Sequence, residues 1–245
     1  MQTNWMKPPD DLNLELNQVN IWRVSFNHLP DPVQGADTTL SADESQRAAK
    51  FRFEMDRIRF VISHIALRDI LSRYLHIEPE KISFTVGEYG KPTIISKLKL
   101  DINLSHSGDY ALIAVARERK VGVDVERFRQ ELEIEKIAHR FFSKKENAEL
   151  LSLPSDQQQI GFFNCWARKE AYIKAHGLGL SLPLNSFDVS LTPGQPAALK
   201  ATRPDSQEAS RWTLLSLDVD HHHAGAVAVE GLDLDFRFWD WNVNR

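Results

Sequence analysis
One cysteine, Cys165, stands in 245 residues, so the chain holds no internal disulfide and fits a reducing compartment. On the apolar arc of a predicted helix, that thiol reads as buried filler rather than nucleophile. No run of 18 apolar residues occurs, and the opening stretch to Pro9 has neither the basic start nor the apolar middle of a secretory signal. A cytoplasmic location and no membrane partner are therefore expected. Positive charge is also short. The net charge of −4 argues against a nucleic-acid binder, which needs a basic surface to neutralise phosphates. What is present, 42% hydrophobic and 26% charged residues over this length, suffices for one large domain or two small ones with a substantial core.

Residues 1–18 carry Pro8-Pro9 and Asp10-Asp11 without a sustained period, which predicts an extended lead-in. Ile21–Phe26 alternates as a strand, and Asp31-Pro32-Val33-Gln34-Gly35 reads as loop. Ser41-Ala42-Asp43-Glu44 matches a capping box, so a helix should run to about Phe53, with a second from about Asp56 to Leu75. Strands are expected over 82–86, 93–95, 101–104 and 110–116 as an antiparallel sheet. Beyond Val121 come helices near 133–142, after the capping box Ser143–Glu146 and over 155–176, then strands near 187–191, 212–218 and 224–229. Each half, 19–120 and 121–230, thus offers a long helix and several strands, and 231–245 reads as a tail. The expectation is an α+β fold of two similar subdomains with a site between them.

The stretch Val121-Gly122-Val123-Asp124-Val125-Glu126-Arg127 carries the chemistry. At the strand period of two, the valines face one side and Asp124 and Glu126 the other. Paired hard oxygen ligands suit Mg²⁺, or Mn²⁺, better than zinc. About forty residues on, Phe162–Gly177 reads as a helix ended by glycine, with Glu170 and Lys174 one turn apart at the margin of its apolar arc. Ser105-His106-Ser107-Gly108, expected between two strands, can turn hydroxyls and backbone N–H groups toward an anion. A basic bias from Arg47, Lys50, Arg52, Arg57, Arg59, Arg68 and Arg73 suits a small polyanion or an acidic protein partner. From Arg127 to Lys145 six basic residues face three acidic ones, beside Phe141 and Phe142, a surface suited to an acidic partner.

Together Val121–Glu126 and Trp166–Lys174, with Tyr89-Gly90-Lys91-Pro92, Asn103–Gly108 and Gly179–Leu184, resemble the signatures of the Sfp-type 4′-phosphopantetheinyl transferases. The resemblance runs from about Leu40 to about Val229. It implies two halves related by a pseudo-twofold axis, with coenzyme A in the cleft and the phosphopantetheine arm moved to a serine of an apo acyl or peptidyl carrier protein. It further implies a monomer, Mg²⁺ as cofactor and 3′,5′-ADP as product. Carried over by position, Asp124, Glu126 and Glu170 would bind the metal. Lys174 would hold a pyrophosphate oxygen, with Lys169 as an auxiliary. Arg47, Arg59 and His106 would grip the 3′-phosphate with Ser105 nearby, and Lys91 and Pro92 would lie beside the nucleotide. Glu170 is expected as ligand, as general base, or as both. Glu44 departs from the pattern, which leads to a lysine there. A metal-dependent hydrolase of a nucleotide pyrophosphate would use the same carboxylates, and a non-catalytic carrier-binding module would need none of them.

Overall fold
Two helices of equal length, α3 (Glu54–Leu75) and α6 (Ser155–His176), organise the chain, each of 22 residues. Both stop at a left-handed residue, His76 at φ 52° and, as the sequence predicts, Gly177 at φ 70°. The computed structural model describes residues 3–27, 36–87 and 89–241; the loop expected at 31–35 lies outside them.

Around α3 lie β1 (Gln18–Ser25), α1 (Ala36–Thr39), α2 (Ala42–Ala48), β2 (Phe84–Val86), β3 (Pro92–Ile94), β4 (Leu100–Ser107) and β5 (Tyr110–Arg117). Then come β6 (Val121–Arg127), α4 (Ile134–Phe141), α5 (Lys144–Ser152) and, after α6, β7 (Phe187–Val189), β8 (Leu199–Thr202), β9 (Trp212–Leu217), β10 (His223–Glu230) and β11 (Asp235–Trp241). One sheet has the order β11-β1-β5-β4, a second β6-β10-β9, with β2-β3 and β7-β8 as short hairpin pairs.

Alternation along the strands sets the layers. On β5, Ala111, Ile113 and Val115 join Ile62, Ala66, Ile70 and Leu71 of α3 in one core, whereas Leu112, Ala114 and Ala116 join Val121, Val123 and Val125 of β6 in another. On β10 the alanines Ala224, Ala226 and Ala228 pack on α6, and Val227 and Val229 point to the middle core. The order is helix, sheet, sheet, helix: a mixed α+β fold, as expected. β5 and β10 are buried on both faces, which explains their unbroken apolar runs.

One segment departs from the sequence reading, and the extended lead-in carries contacts beyond it. The stretch taken as a tail supplies β11, which pairs in parallel with β1 from Gln18↔Asp235 to Val24↔Trp241. Its aromatics, Phe236, Phe238, Trp239 and Trp241, pack into the cores and give β1 the partner its second edge requires. The lead-in is tied down as well: Met6 bridges Trp239, the Trp5 indole donates to the Asp218 carbonyl at 2.7 Å, and Leu12 and Leu14 are buried.

A repeated device marks the halves as alike at the level of residues. Ser41 and Glu44 close a capping box at α2, and Ser143 and Glu146 close one at α5. Each glutamate then reaches a buried cation at the fifteenth position of its long helix: Glu44 to Arg68 at 2.8 Å, and Glu146 to Lys169 at 2.8 Å. Arg68 also donates to the carbonyls of Pro79 and Ile82, and Lys169 to those of Leu184 and Phe187. Such satisfied buried pairs add little net stability, yet removing one partner leaves a stranded charge. The pairing accounts for Glu44: its carboxylate turns inward to Arg68 and does not confront a phosphate.

Candidate active site
Gly122 decides how closely α6 approaches β6. A Cβ there would stand 2.1 Å from the Ala171 carbonyl oxygen and 2.3 Å from the Ala175 nitrogen, so only glycine allows this contact. The close approach brings the helix edge carrying Glu170 and Lys174 over the strand face carrying Asp124 and Glu126. Lys174 Nζ lies 2.5 Å from Asp124 Oδ1 and 2.9 Å from Ser105 Oγ.

The charges do not balance. Asp124 is 2% exposed, and its second oxygen, Oδ2, is buried with no hydrogen-bond partner. Burial raises its carboxyl above the usual range, against the pull of Lys174. Burial and the Asp124 charge also raise Glu126. Glu170 rises to about 7, through burial first and then the charges of Asp124 and Glu126, with Lys174 pulling the other way. Burial disfavours the Lys174 ammonium, but Asp124, Glu170 and Glu126 outweigh it and its pKa is raised. Asp124 and Lys174 thus shift in the same direction for different reasons: burial raises the carboxyl, and the three carboxylates around the single ammonium raise the lysine. Among the described residues no three His, Cys, Asp or Glu side chains are already gathered as a cation cage. Lys174 occupies the place nearest Asp124. A buried, unpartnered carboxylate oxygen beside two more carboxylates is nevertheless the donor set a hard divalent cation takes.

Strand β4 runs alongside β6 with no main-chain pairing between them. Its alternate side chains do the pairing. Asp101 Oδ2 accepts from Val121 N–H at 3.1 Å, Asn103 Oδ1 from Val123 at 2.8 Å, Ser105 Oγ from Val125 at 3.4 Å and Ser107 Oγ from Arg127 at 3.1 Å. The serines also donate: Ser105 to Asp124 Oδ1 at 2.9 Å and Ser107 to Glu126 Oε2 at 3.3 Å. The expected turn at 105–108 is thus a continuation of β4, with the reversal left to Gly108 at φ 59°. Ser105, expected at the nucleotide, has its proton on Asp124 and accepts from Lys174 and Val125, which exhausts a hydroxyl.

A basic corner adjoins the carboxylates. His106, exposed between the two serines, titrates below the usual histidine range through partial loss of hydration and then the charges of Lys174 and Arg59. Arg59 Nε is buried without a partner, leaving a donor unspent. The Arg47 guanidinium lies 5.2 Å over the Phe60 ring, against which His64 also stacks at 3.9 Å. His64 escaped the sequence reading, because a histidine on an amphipathic helix carries no signal of its own.

Two expected ligand contacts are instead engaged within the chain. Lys169 is fully buried, and its ammonium is taken up by Glu146, Leu184 O and Phe187 O, so it neither reaches nor snorkels toward a cleft. The Lys91 ammonium is spent on Asp101, Val121 O and Ala175 O, tying the β2-β3 hairpin to both sheets and to the end of α6. Pro92 begins β3 opposite Val86 and makes the hairpin with Lys91 turned inward. Cys165 is buried, with its thiol held well above the usual range by burial, and it plays no part.

Comparison with known proteins bears on the same residues. Residues 120–229 match the family model of the 4′-phosphopantetheinyl transferase superfamily, and residues 26–118 that of the 4′-phosphopantetheinyl transferase N-terminal region. The chain is 38% identical over 244 residues to the 4′-phosphopantetheinyl transferase HetI of Nostoc sp., covering 98% of this chain and 100% of that one. It is 35% identical over 188 residues to the 4′-phosphopantetheinyl transferase Sfp of Bacillus subtilis, covering 77% and 81% of the two chains. To the L-aminoadipate-semialdehyde dehydrogenase-phosphopantetheinyl transferase of Mus musculus the identity is 29% over 212 residues, with 80% and 68% covered. The chain, whose carboxylates lie between a glycine-seated helix and a serine-braced strand, belongs to the 4′-phosphopantetheinyl transferase superfamily.

Proposed function
We propose that the protein transfers the 4′-phosphopantetheine arm of coenzyme A to a serine of an apo acyl or peptidyl carrier protein, with Mg²⁺ as cofactor and 3′,5′-ADP as the second product. Family membership supports the reaction class. The observation that carries the site is Asp124 Oδ2, a buried carboxylate oxygen without a partner, beside Glu126 and Glu170. These three residues would hold the metal, which when bound offsets negative charge on the pyrophosphate.

The chain's own groups supply the rest. The carrier serine Oγ attacks the β-phosphorus, and the bond from that phosphorus to the oxygen of 3′,5′-ADP breaks. Positioning and charge stabilisation dominate such transfers. Lys174, already at the carboxylates, brings a cation to the oxygen on which charge grows. Glu170 would also accept the serine proton, directly or through water. Arg59, with its unspent Nε, His106 and Arg47 would take the 3′-phosphate. The acidic carrier would be steered by the basic stretch 127–145. The protein is read as a monomer of two subdomains, 19–120 and 121–230, in the cytoplasm; among the described residues no helix is long and apolar enough to cross a membrane.

The test is direct. Incubated with coenzyme A, Mg²⁺ and an apo carrier, the protein should add the mass of one phosphopantetheine arm to the carrier, and chelation should stop it. Coenzyme A consumed with no change in carrier mass would refute the reading in favour of hydrolysis.

A further inference from the structure
The β4–β6 seam does more than join two sheets. An edge strand exposes a row of N–H groups that must find acceptors. For β6 those groups, at Val121, Val123, Val125 and Arg127, are met by the side chains of Asp101, Asn103, Ser105 and Ser107 rather than by the β4 main chain. The four rungs divide by chemistry. The lower two end in acceptors and touch no carboxylate of the site. The upper two end in hydroxyls, and each hydroxyl uses its one proton on a carboxylate of β6: Ser105 on Asp124, Ser107 on Glu126.

We propose that Ser105 and Ser107 are positioning residues for the metal carboxylates: each anchors to a β6 N–H and thereby aims the carboxylate that precedes that N–H. This rests on the reading of Asp124 and Glu126 as cation ligands. Bonds from outer groups to ligating carboxylates fix which oxygen remains free for the ion. At Asp124 the arrangement does this visibly, since Ser105 and Lys174 both occupy Oδ1 and leave Oδ2 without a partner. His106 lies on the same strand between the two serines. The rungs therefore also fix the register between the strand offered to the nucleotide and the strand offered to the cation.

The proposal separates Ser107 from its neighbour Asn103, which serves an identical N–H but no carboxylate. Ser107→Ala, Ser107→Thr and Asn103→Ala would be compared by titrating Mn²⁺ alone into each metal-free protein and following free Mn²⁺ by electron paramagnetic resonance. Thermal melting and 3′,5′-ADP binding without metal would be measured in parallel. Ser107→Ala should weaken Mn²⁺ about tenfold, with 3′,5′-ADP affinity and folding near those of the parent, and Ser107→Thr should restore it. Asn103→Ala should lower the melting temperature and leave Mn²⁺ affinity of the folded protein unchanged. Parental Mn²⁺ affinity in Ser107→Ala, or an equal loss in Asn103→Ala, would overturn the proposal. Absence of Mn²⁺ binding by the parent protein would instead refute the metal reading beneath it.

Discussion
The two long helices share a length and a buried device but differ in the residues that follow it. At the sixteenth and twentieth positions α3 carries Asp69 and Arg73, and α6 carries Glu170 and Lys174. In the first half the pair is closed. Arg73 bonds Asp69 at 2.6 Å, the Trp241 indole donates to the same carboxylate at 2.7 Å, and Arg73 lies over the ring of Trp22, on β1. In the second half the facing strand offers Asp124, and one ammonium is shared by three acids. An aromatic residue, and a strand recruited from the C-terminal end, fill in one half what carboxylates leave open in the other. Function lies where the partner count is incomplete, and the closed half shows what completion looks like.

The largest effect should separate the two acids. Asp124→Ala should abolish transfer, a loss of a hundredfold or more on the order expected for a residue acting on developing charge, while the fold survives. Asp69→Ala should leave the rate per folded molecule unchanged. Comparable losses in both, by carrier mass spectrometry, would erase the distinction between the halves. Lys169→Ala and Arg68→Ala should each destabilise by about 3–5 kcal/mol in denaturant titrations, since each strands a buried glutamate. Lys174→Ala also strands a buried carboxylate, Asp124, so it should destabilise as well, but unlike the other two it should lower the transfer rate per folded molecule. Gly122→Ala should destabilise by roughly 1–3 kcal/mol, because its methyl meets helix backbone that cannot give way cheaply.

The smallest effect is a slope with pH. Glu170 titrates at about 7 in the folded protein but near 4.3 in an unfolded chain, so the folded state holds this proton more tightly. Its contribution to metal-free stability is full below the unfolded value and is lost as pH rises through about 7. Melting temperatures in chelator should therefore fall between about pH 5 and pH 8, and Glu170→Gln should flatten that slope. A slope unchanged in the variant would mean that another group carries it.

The sequence made α6, its glycine stop and the face of β6 legible because period and cap are local signals. Both capping boxes were readable for the same reason, but their destinations at Arg68 and Lys169 were not, since a buried ion pair depends on which helix lies across the core. Lys169 and Lys91 were assigned to ligand by motif position, and packing assigned them to carbonyls and carboxylates of the chain itself. The seam was written in plain view as alternate polar residues, Asp101, Asn103, Ser105 and Ser107. It stayed unread because alternation on a strand usually means solvent, and here the polar face meets a neighbouring edge. β11 was missed because the aromatic-rich end of the chain gave no hint of a parallel partner more than two hundred residues away.

The central claim is that Asp124, Glu126 and Glu170 converge on one divalent ion. Crystals grown with Mn²⁺ and coenzyme A, measured at the manganese absorption edge, test it without reference to rate. The account predicts one anomalous peak within about 2.2 Å of an oxygen from each of the three carboxylates, with Asp124 Oδ2 among them. A peak bound only elsewhere, with Lys174 still seated on an otherwise unliganded Asp124, would contradict it.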